Sequence, residues 1–378
     1  MADTLLVERG DAQAEVEVRI VDTDVHPVPR HPDELRAYVP EPWRSRRWSD
    51  QVFDAIGSPL YEAPNKAQRL DSWSPDGAPP CADPDFTEKQ VFGDAGVDIA
   101  MLIPLTVRPM ANPEHEAAVC AATNAWLEDT WLSKYNRHGR YYGGIRVCSH
   151  DTALACREIE KWAGHPRFNH VMLNPYTDTP MGQSRFYPIY ELATRLDLPV
   201  VLHVNRSPGM RLLTPVGFSS YFFEHHSLYS LMYASHLASM VFEGVFEKFP
   251  TLRIVLIEGG FSWVVPLAWR LDRHWEHLGK EVPEVRCRPS EYIHRHVRLS
   301  TQPIEEPPEP RDLARLWSWM DPGHYLMFAT DYPHWDFDAP EQVRRFPEAA
   351  QRRILAENAI EWYKLPRTRK AMGPGGRP

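Results

Sequence analysis

Asp24 and His26 stand two residues apart in the stretch Val21-Asp22-Thr23-Asp24-Val25-His26. At the tip of a strand, side chains at i and i+2 project to one side, so Asp24 and His26 point together, as do Asp22 and Asp24. A carboxylate and an imidazole so placed are compact donors that can share one divalent cation. Taken alone, the segment also suits a turn capped by an aspartate and a loop histidine ahead of Pro27. Three further residues shift the balance. His203 lies inside Val-Val-Leu-His-Val-Asn, Glu258 precedes Gly259-Gly260, and Asp331 lies inside Ala-Thr-Asp-Tyr-Pro-His-Trp-Asp. Each ends an apolar, strand-like run, where an ionisable group is costly to bury without a partner. Four strand ends carrying such groups suggest a common partner, and a cation fits. Separate caps and salt bridges are the alternative.

The elements that would position these residues can be read along the chain. Val18–Val21 is the first strand. Val97–Pro104, Tyr141–Val147, Asn169–Asn174, Pro199–Val204, Leu252–Gly260, Val297–Thr301 and Tyr325–Asp331 are seven more. Apolar spacing predicts helices over Glu114–Tyr135, up to Trp162 behind an Asp151 cap, and over Tyr187–Leu196, Ser227–Phe249, Ser262–His277, Arg311–Met320 and Glu341–Tyr363. Continuous apolar strands are what a parallel sheet covered on both faces requires. Eight β-then-α units predict an α/β protein, a (β/α)8 TIM barrel, whose 378 residues exceed the usual ~250. The excess falls in a Pro/Trp-rich insertion after strand one, about residues 31–90, whose Trp43, Trp48 and Trp73 either roof a pocket or form the insertion's own core. No Gly-x-Gly-x-x-Gly or P-loop supports an open doubly wound sheet. The expected organisation is an N-terminal extension (1–17), the barrel (18–364) and a flexible tail (365–378).

Composition narrows the function classes. A formal charge of −9 argues against nucleic acid or an anionic membrane surface as the main partner. The five cysteines are scattered and none forms a CxxC pair, so neither a disulfide framework nor a thiolate zinc site is expected. No stretch reads as a signal peptide or a membrane span, which sets a soluble cytoplasmic protein as the expectation. Thirty-six prolines and 13 tryptophans point to long ordered loops with aromatic walls rather than disorder.

Asp-x-His on strand one, His203 on strand five and Asp331 on strand eight resemble the metal site of the amidohydrolase superfamily. Glu258-Gly259-Gly260 and Ala329–Asp336 are similar to its amidohydrolase-related branch, which includes aminocarboxymuconate-semialdehyde, carboxyvanillate and resorcylate decarboxylases. The resemblance covers about residues 18 to 364. It implies that Asp24, His26, His203 and Asp331 hold one divalent ion, Zn2+ or Mn2+, since two carboxylates and two imidazoles form a fairly hard donor set. It gives Asp331 a second role as proton carrier and His334 the role of orienting it. Several decarboxylases of the branch carry a catalytic histidine where Glu258 stands, so Glu258 is a departure as well as a catalytic candidate. The implied activity is decarboxylation (a C–C lyase) of a small aromatic or unsaturated carboxylic acid. Hydrolysis of an amide, ester or lactone is nearly level with it, hydration comes next, and a binding scaffold on a degenerate barrel is the non-enzymatic alternative. The family's habits imply a homodimer, with the helices Ser227–Phe249 and Ser262–His277 as candidate contact faces.

Weaker candidates complete the reading. Arg146 after strand three and Arg206 after strand five suit a carboxylate clamp, and Asn174 at the end of strand four is a substrate contact candidate. His225 and His226 lie in the loop after strand five, where a pocket role competes with plain exposure. His236, amid Met232, Met240 and Val241, reads as a core or interface histidine rather than a ligand.

Overall fold

The computed structural model describes residues 15–46, 67–107, 110–205 and 221–370, apart from the side chains of residues 222, 225 and 310. Trp48, Arg206 and the His225 side chain lie outside the described residues. Two strands, β1 (Glu15–Glu17) and β10 (Thr368–Lys370), form a small antiparallel ribbon. Between them in sequence run the eight barrel strands. These are β2 (Val21–Val25), β3 (Ile99–Leu102), β4 (Tyr141–Arg146), β5 (Phe168–Leu173), β6 (Val200–His203), β7 (Ile254–Ile257), β8 (Val297–Ser300) and β9 (Leu326–Met327). Each is parallel to the next, in sequence order. The last meets the first: Thr23 donates its backbone N–H to Phe328 O at 3.0 Å, and His26 donates to Tyr332 O at 2.8 Å. Helices run between the strands, as the predicted (β/α)8 barrel requires.

The local rules behind the helices are visible. Asn112 and Asp151 cap the helices Pro113–Trp126 and Thr152–Trp162 by accepting from the His115 and Leu154 amides at 3.1 and 2.9 Å. The predicted helix over Ser227–Phe249 is broken at Gly244, whose φ of 70° a helix cannot continue, into Tyr229–Phe242 and Val245–Lys248. Glu341–Tyr363 is divided at Pro347 into a 3-10 turn, Pro340–Arg345, and one continuous helix from Glu348 to Tyr363 whose middle, Arg353–Glu357, is π-helical.

Two predicted boundaries are corrected. The first barrel strand is Val21–Val25 and not Val18–Val21, because the amides of Arg19 and Ile20 donate to Asp98 Oδ2 (2.8 and 3.2 Å) rather than to a neighbouring strand. The tail is ordered as far as Lys370, since Thr368–Lys370 pairs with the N-terminal strand and Arg369 Nε reaches Asp98 Oδ1 at 2.6 Å.

The packing decides which end of the barrel works. Val21, Ile99, Met101, Met172, Val201, Val255, Ile257 and Met327 belong to one buried cluster with Ala359, Ile360 and Tyr363 of the last helix. That cluster occupies the barrel interior and excludes water there. The opposite end, where the strands finish, receives the polar residues. Part of the Pro/Trp-rich segment packs onto this end. Arg69 N donates to Pro333 O at 2.9 Å and Trp335 N donates to Ala67 O at 3.1 Å.

Candidate metal centre

Asp24 lies within β2, His26 just beyond it, His203 ends β6, Glu258 follows β7 and Asp331 follows β9. All five are buried. His26 Nε2 lies 2.7 Å from Asp331 Oδ1 and 3.2 Å from Asp24 Oδ1, and His203 Nε2 lies 3.3 Å from Asp24 Oδ1. Among the described residues, two overlapping groups of donor atoms could hold a metal ion. One is Asp24, His26 and His203; the other is His26, Asp331 and His334.

The chemistry of these donors fits a cation. His26 Nδ1 sits 2.8 Å from the Ile103 carbonyl. A carbonyl can only accept, so Nδ1 carries a hydrogen, and Nε2 is left for the carboxylates. Nε2 faces two carboxylate oxygens, an arrangement that needs a positive charge among the acceptors, either a proton on Nε2 or a metal ion bound there in its place. Both oxygens of Asp24, Asp331 Oδ2 and both ring nitrogens of His203 are buried without a hydrogen bond. Burial on this scale is costly for unmatched polar atoms, and a shared divalent ion would satisfy Asp24, Asp331 Oδ2 and one ring nitrogen of His203 together. Burial pushes the Asp24 carboxyl well up against the opposing His26. It holds the His203 imidazole down to about 4, hence neutral and able to ligate at pH 7.

The backbone aims these groups at some cost. Glu258 and Asp331 have φ of 61° and 58°, the left-handed region, about 1–3 kcal/mol each for such residues. Glu258 N donates to Ser300 Oγ at 3.0 Å. Behind it, Gly259 leaves room for the Tyr233 ring, which a Cβ at that position would meet at 2.2 Å. Asp22 ties both halves of the site together. It accepts from the Asp24 and Thr330 amides, each at 3.0 Å, and from Thr330 Oγ1 at 2.5 Å. Burial lifts its carboxyl to about 7.

His334 Nδ1 lies 2.6 Å from Asp331 Oδ1. Burial opposes its charge, but the Asp331 carboxylate prevails and pushes the imidazole up to about 10. In return, and against its own burial, Asp331 is held well below the usual carboxylate range by His334 and His26. Glu258 bridges two imidazoles, with Oε2 3.3 Å from His203 Nε2 and Oε1 3.4 Å from His226 Nε2. His226 in turn lies 3.5 Å from Asp336 Oδ2. Sequence reasoning favoured an exposed loop for His226, which the structure instead places largely buried against Glu258 and Asp336, and did not single out Asp336, although Asp336 closes the same Asp-Tyr-Pro-His-Trp-Asp segment as Asp331.

The remaining candidates sort by their partners. Arg146 ends β4, is 1% exposed, and donates Nη2 to Pro104 O at 2.9 Å, while its Nε and Nη1 have no hydrogen bond. Asn174 is engaged within the chain, accepting from Tyr176 N at 3.0 Å and donating to Asn205 O at 2.8 Å. His236 accepts from Met181 N at 3.1 Å and lies 2.8 Å from Pro175 O, a satisfied core histidine as expected. Trp43 stacks on His115 at 4.5 Å, against the outer helix Pro113–Trp126.

Among solved structures, 5-carboxyvanillate decarboxylase from Sphingomonas paucimobilis is 21% identical, with a TM-score of 0.65 over 92% of this chain and 100% of its own. An amidohydrolase from Mycobacterium avium subsp. paratuberculosis is 19% identical, with a TM-score of 0.66 over 92% and 100%. A dihydroxybenzoic acid decarboxylase from Polaromonas, solved with bound manganese and 2-nitroresorcinol, is 17% identical, with a TM-score of 0.61 over 92% and 97%. No curated protein matches the sequence. The amidohydrolase family model matches residues 21–365, from the first barrel strand to the end of the last helix. The chain belongs to the amidohydrolase family.

Proposed function

We propose that this protein decarboxylates a small aromatic or unsaturated carboxylic acid, using one divalent ion, Mn2+ or Zn2+, held by Asp24, His26, His203 and Asp331. The observation that carries the metal reading is the convergence of His26 Nε2, His203 Nε2, Asp24 and Asp331 in a buried site where both Asp24 oxygens have no hydrogen bond. Decarboxylation is supported by the activities of the neighbours, and manganese by one neighbour's bound ion.

When bound, the ion supplies a Lewis acid that anchors an oxygen of the substrate and draws electron density from it. The chain's own residues do the rest. Arg146, with two open donors, suits a carboxylate. Arg206 and Asn174 are the further contacts of this reading. The bond to the carboxyl carbon breaks, its electron pair stays on the carbon left behind, CO2 departs, and a proton takes its place. Asp331, oriented by His334, and Glu258 line the face from which that proton comes. The chain is read as a cytoplasmic homodimer, with exposed Trp269 and Leu278 on the helix Val264–Leu278 as contact candidates.

Hydrolysis is the second reading, favoured by Glu258 standing where related decarboxylases carry histidine. The test is a screen of aromatic and unsaturated acids for CO2 release, run beside ester and amide hydrolysis, before and after chelation. CO2 release abolished by chelator and restored by Mn2+ or Zn2+ is expected. Release that persists in metal-free protein would overturn the proposal.

A further inference from the structure

At the working end of the barrel, beside Glu258 and Asp336, stands an imidazole that the proposed metal set does not use. His226 ends a one-turn helix, Phe222–His226, in the segment after β6. Its Nε2 lies 3.4 Å from Glu258 Oε1 and 3.5 Å from Asp336 Oδ2. Asp336 Oδ2 is itself fixed by Gln302 Nε2 at 3.0 Å, while Asp336 Oδ1 is buried without a hydrogen bond. The rings of Tyr229 and Trp335 stand 5.1 and 6.1 Å from the imidazole. Its side chain is 13% exposed, so solvent reaches it, unlike His203 at 0%. Burial disfavours a charge on His226, yet Glu258 and Asp336, with Asp331 farther off, outweigh burial and favour the imidazolium.

We propose that His226 is the proton donor of the reaction, entering from the segment after β6 and held at Nε2 between Glu258 and Asp336. Glu258 then acts as a positioning residue, with one oxygen toward His203 and the other toward His226. As the carboxyl carbon leaves as CO2, the electron pair retained on the substrate carbon takes the proton of the His226 imidazolium. A C–H bond forms, His226 is left neutral, and a solvent proton restores it. This step rests on the decarboxylase reading above.

Two measurements test it. In the first, histidine-selective 13C and 15N NMR follows the titration of His226 in metal-free and Zn2+-loaded protein, with His226→Gln to assign the signal. A titration midpoint above that of a free histidine, lowered by Asp336→Asn and by Glu258→Gln, is expected. A midpoint that neither substitution moves overturns the placement. In the second, kcat and KM are taken on whichever acid releases CO2. His226→Gln should lower kcat by about 10²–10⁴-fold, with KM and metal content little changed. A kcat within threefold of wild type overturns the role. Failure of every acid to release CO2 would overturn the decarboxylase reading instead, and the proton-donor step with it, while the NMR result would still decide whether two carboxylates hold this imidazole.

Discussion

Gly259→Ala is the substitution whose consequence can be worked most directly from the structure. The new Cβ would meet Tyr233 Cδ2 and Cε2 at 2.2 and 2.4 Å, more than 1 Å inside an ordinary carbon–carbon contact. Tyr233 is fully buried, and its hydroxyl donates to Ile257 O at 2.6 Å, so the ring cannot retreat without releasing that bond. Overpacking of this kind costs about 1–3 kcal/mol, and the hydrogen bond adds about 1 kcal/mol. The total, roughly 2–4 kcal/mol, corresponds to a fall in Tm of about 3–5 °C for a chain of 378 residues. The strain also falls on the turn that carries Glu258, so activity should drop with stability. Thermal unfolding of Gly259→Ala, Tyr233→Leu and the double variant, at one scan rate, forms the assay. In the Tyr233→Leu background the glycine substitution should cost about 1 kcal/mol or less, giving a coupling of about 1–3 kcal/mol. Additive costs, or an unchanged Tm for Gly259→Ala, would refute the reasoning.

Two further outcomes follow. Burial holds His236 down to about 4, whereas an unfolded histidine titrates near 6.5. As pH falls below 6.5 the unfolded chain takes up a proton that the folded chain refuses, so stability is full above 6.5 and declines by about 1.4 kcal/mol per unit toward pH 4. His236→Gln can keep the contacts to Met181 N and Pro175 O and should flatten that slope by about one proton in denaturant titrations; an unchanged slope would contradict this. Arg146→Met should lower kcat/KM by about 10–100-fold, the value of a hydrogen bond to a charged group. It should leave Tm unchanged or higher, because a buried cation without a carboxylate contributes little to the fold; a falling Tm with kcat/KM intact would make Arg146 structural.

What the sequence disclosed follows from which interactions are local. Strands such as Ile99–Leu102, Val200–His203 and Ile254–Ile257 were legible because each is an almost wholly apolar run, and caps such as Asp151 act within four residues. The start of the first barrel strand was not, because Asp98, 79 residues away from Arg19, takes amides that a strand would otherwise use. Asp22 could be seen to point with Asp24, but its role depends on Thr330, 308 residues away. His26, His203, Glu258 and Asp331 were readable as strand-end polar residues. The pairing of Glu258 with His226 was not, since it joins residues on separate elements, the helix Phe222–His226 and the end of β7.

The central claim is that Asp24, His26, His203 and Asp331 surround a divalent ion, and elemental analysis of the purified protein tests it most directly. The account predicts close to one Mn or Zn per chain, lost on chelation and regained on adding either ion. It also predicts loss of the ion from Asp24→Asn and His203→Asn proteins that remain folded. A folded wild-type protein that takes up neither ion, or an Asp24→Asn variant that retains a full complement, would contradict it.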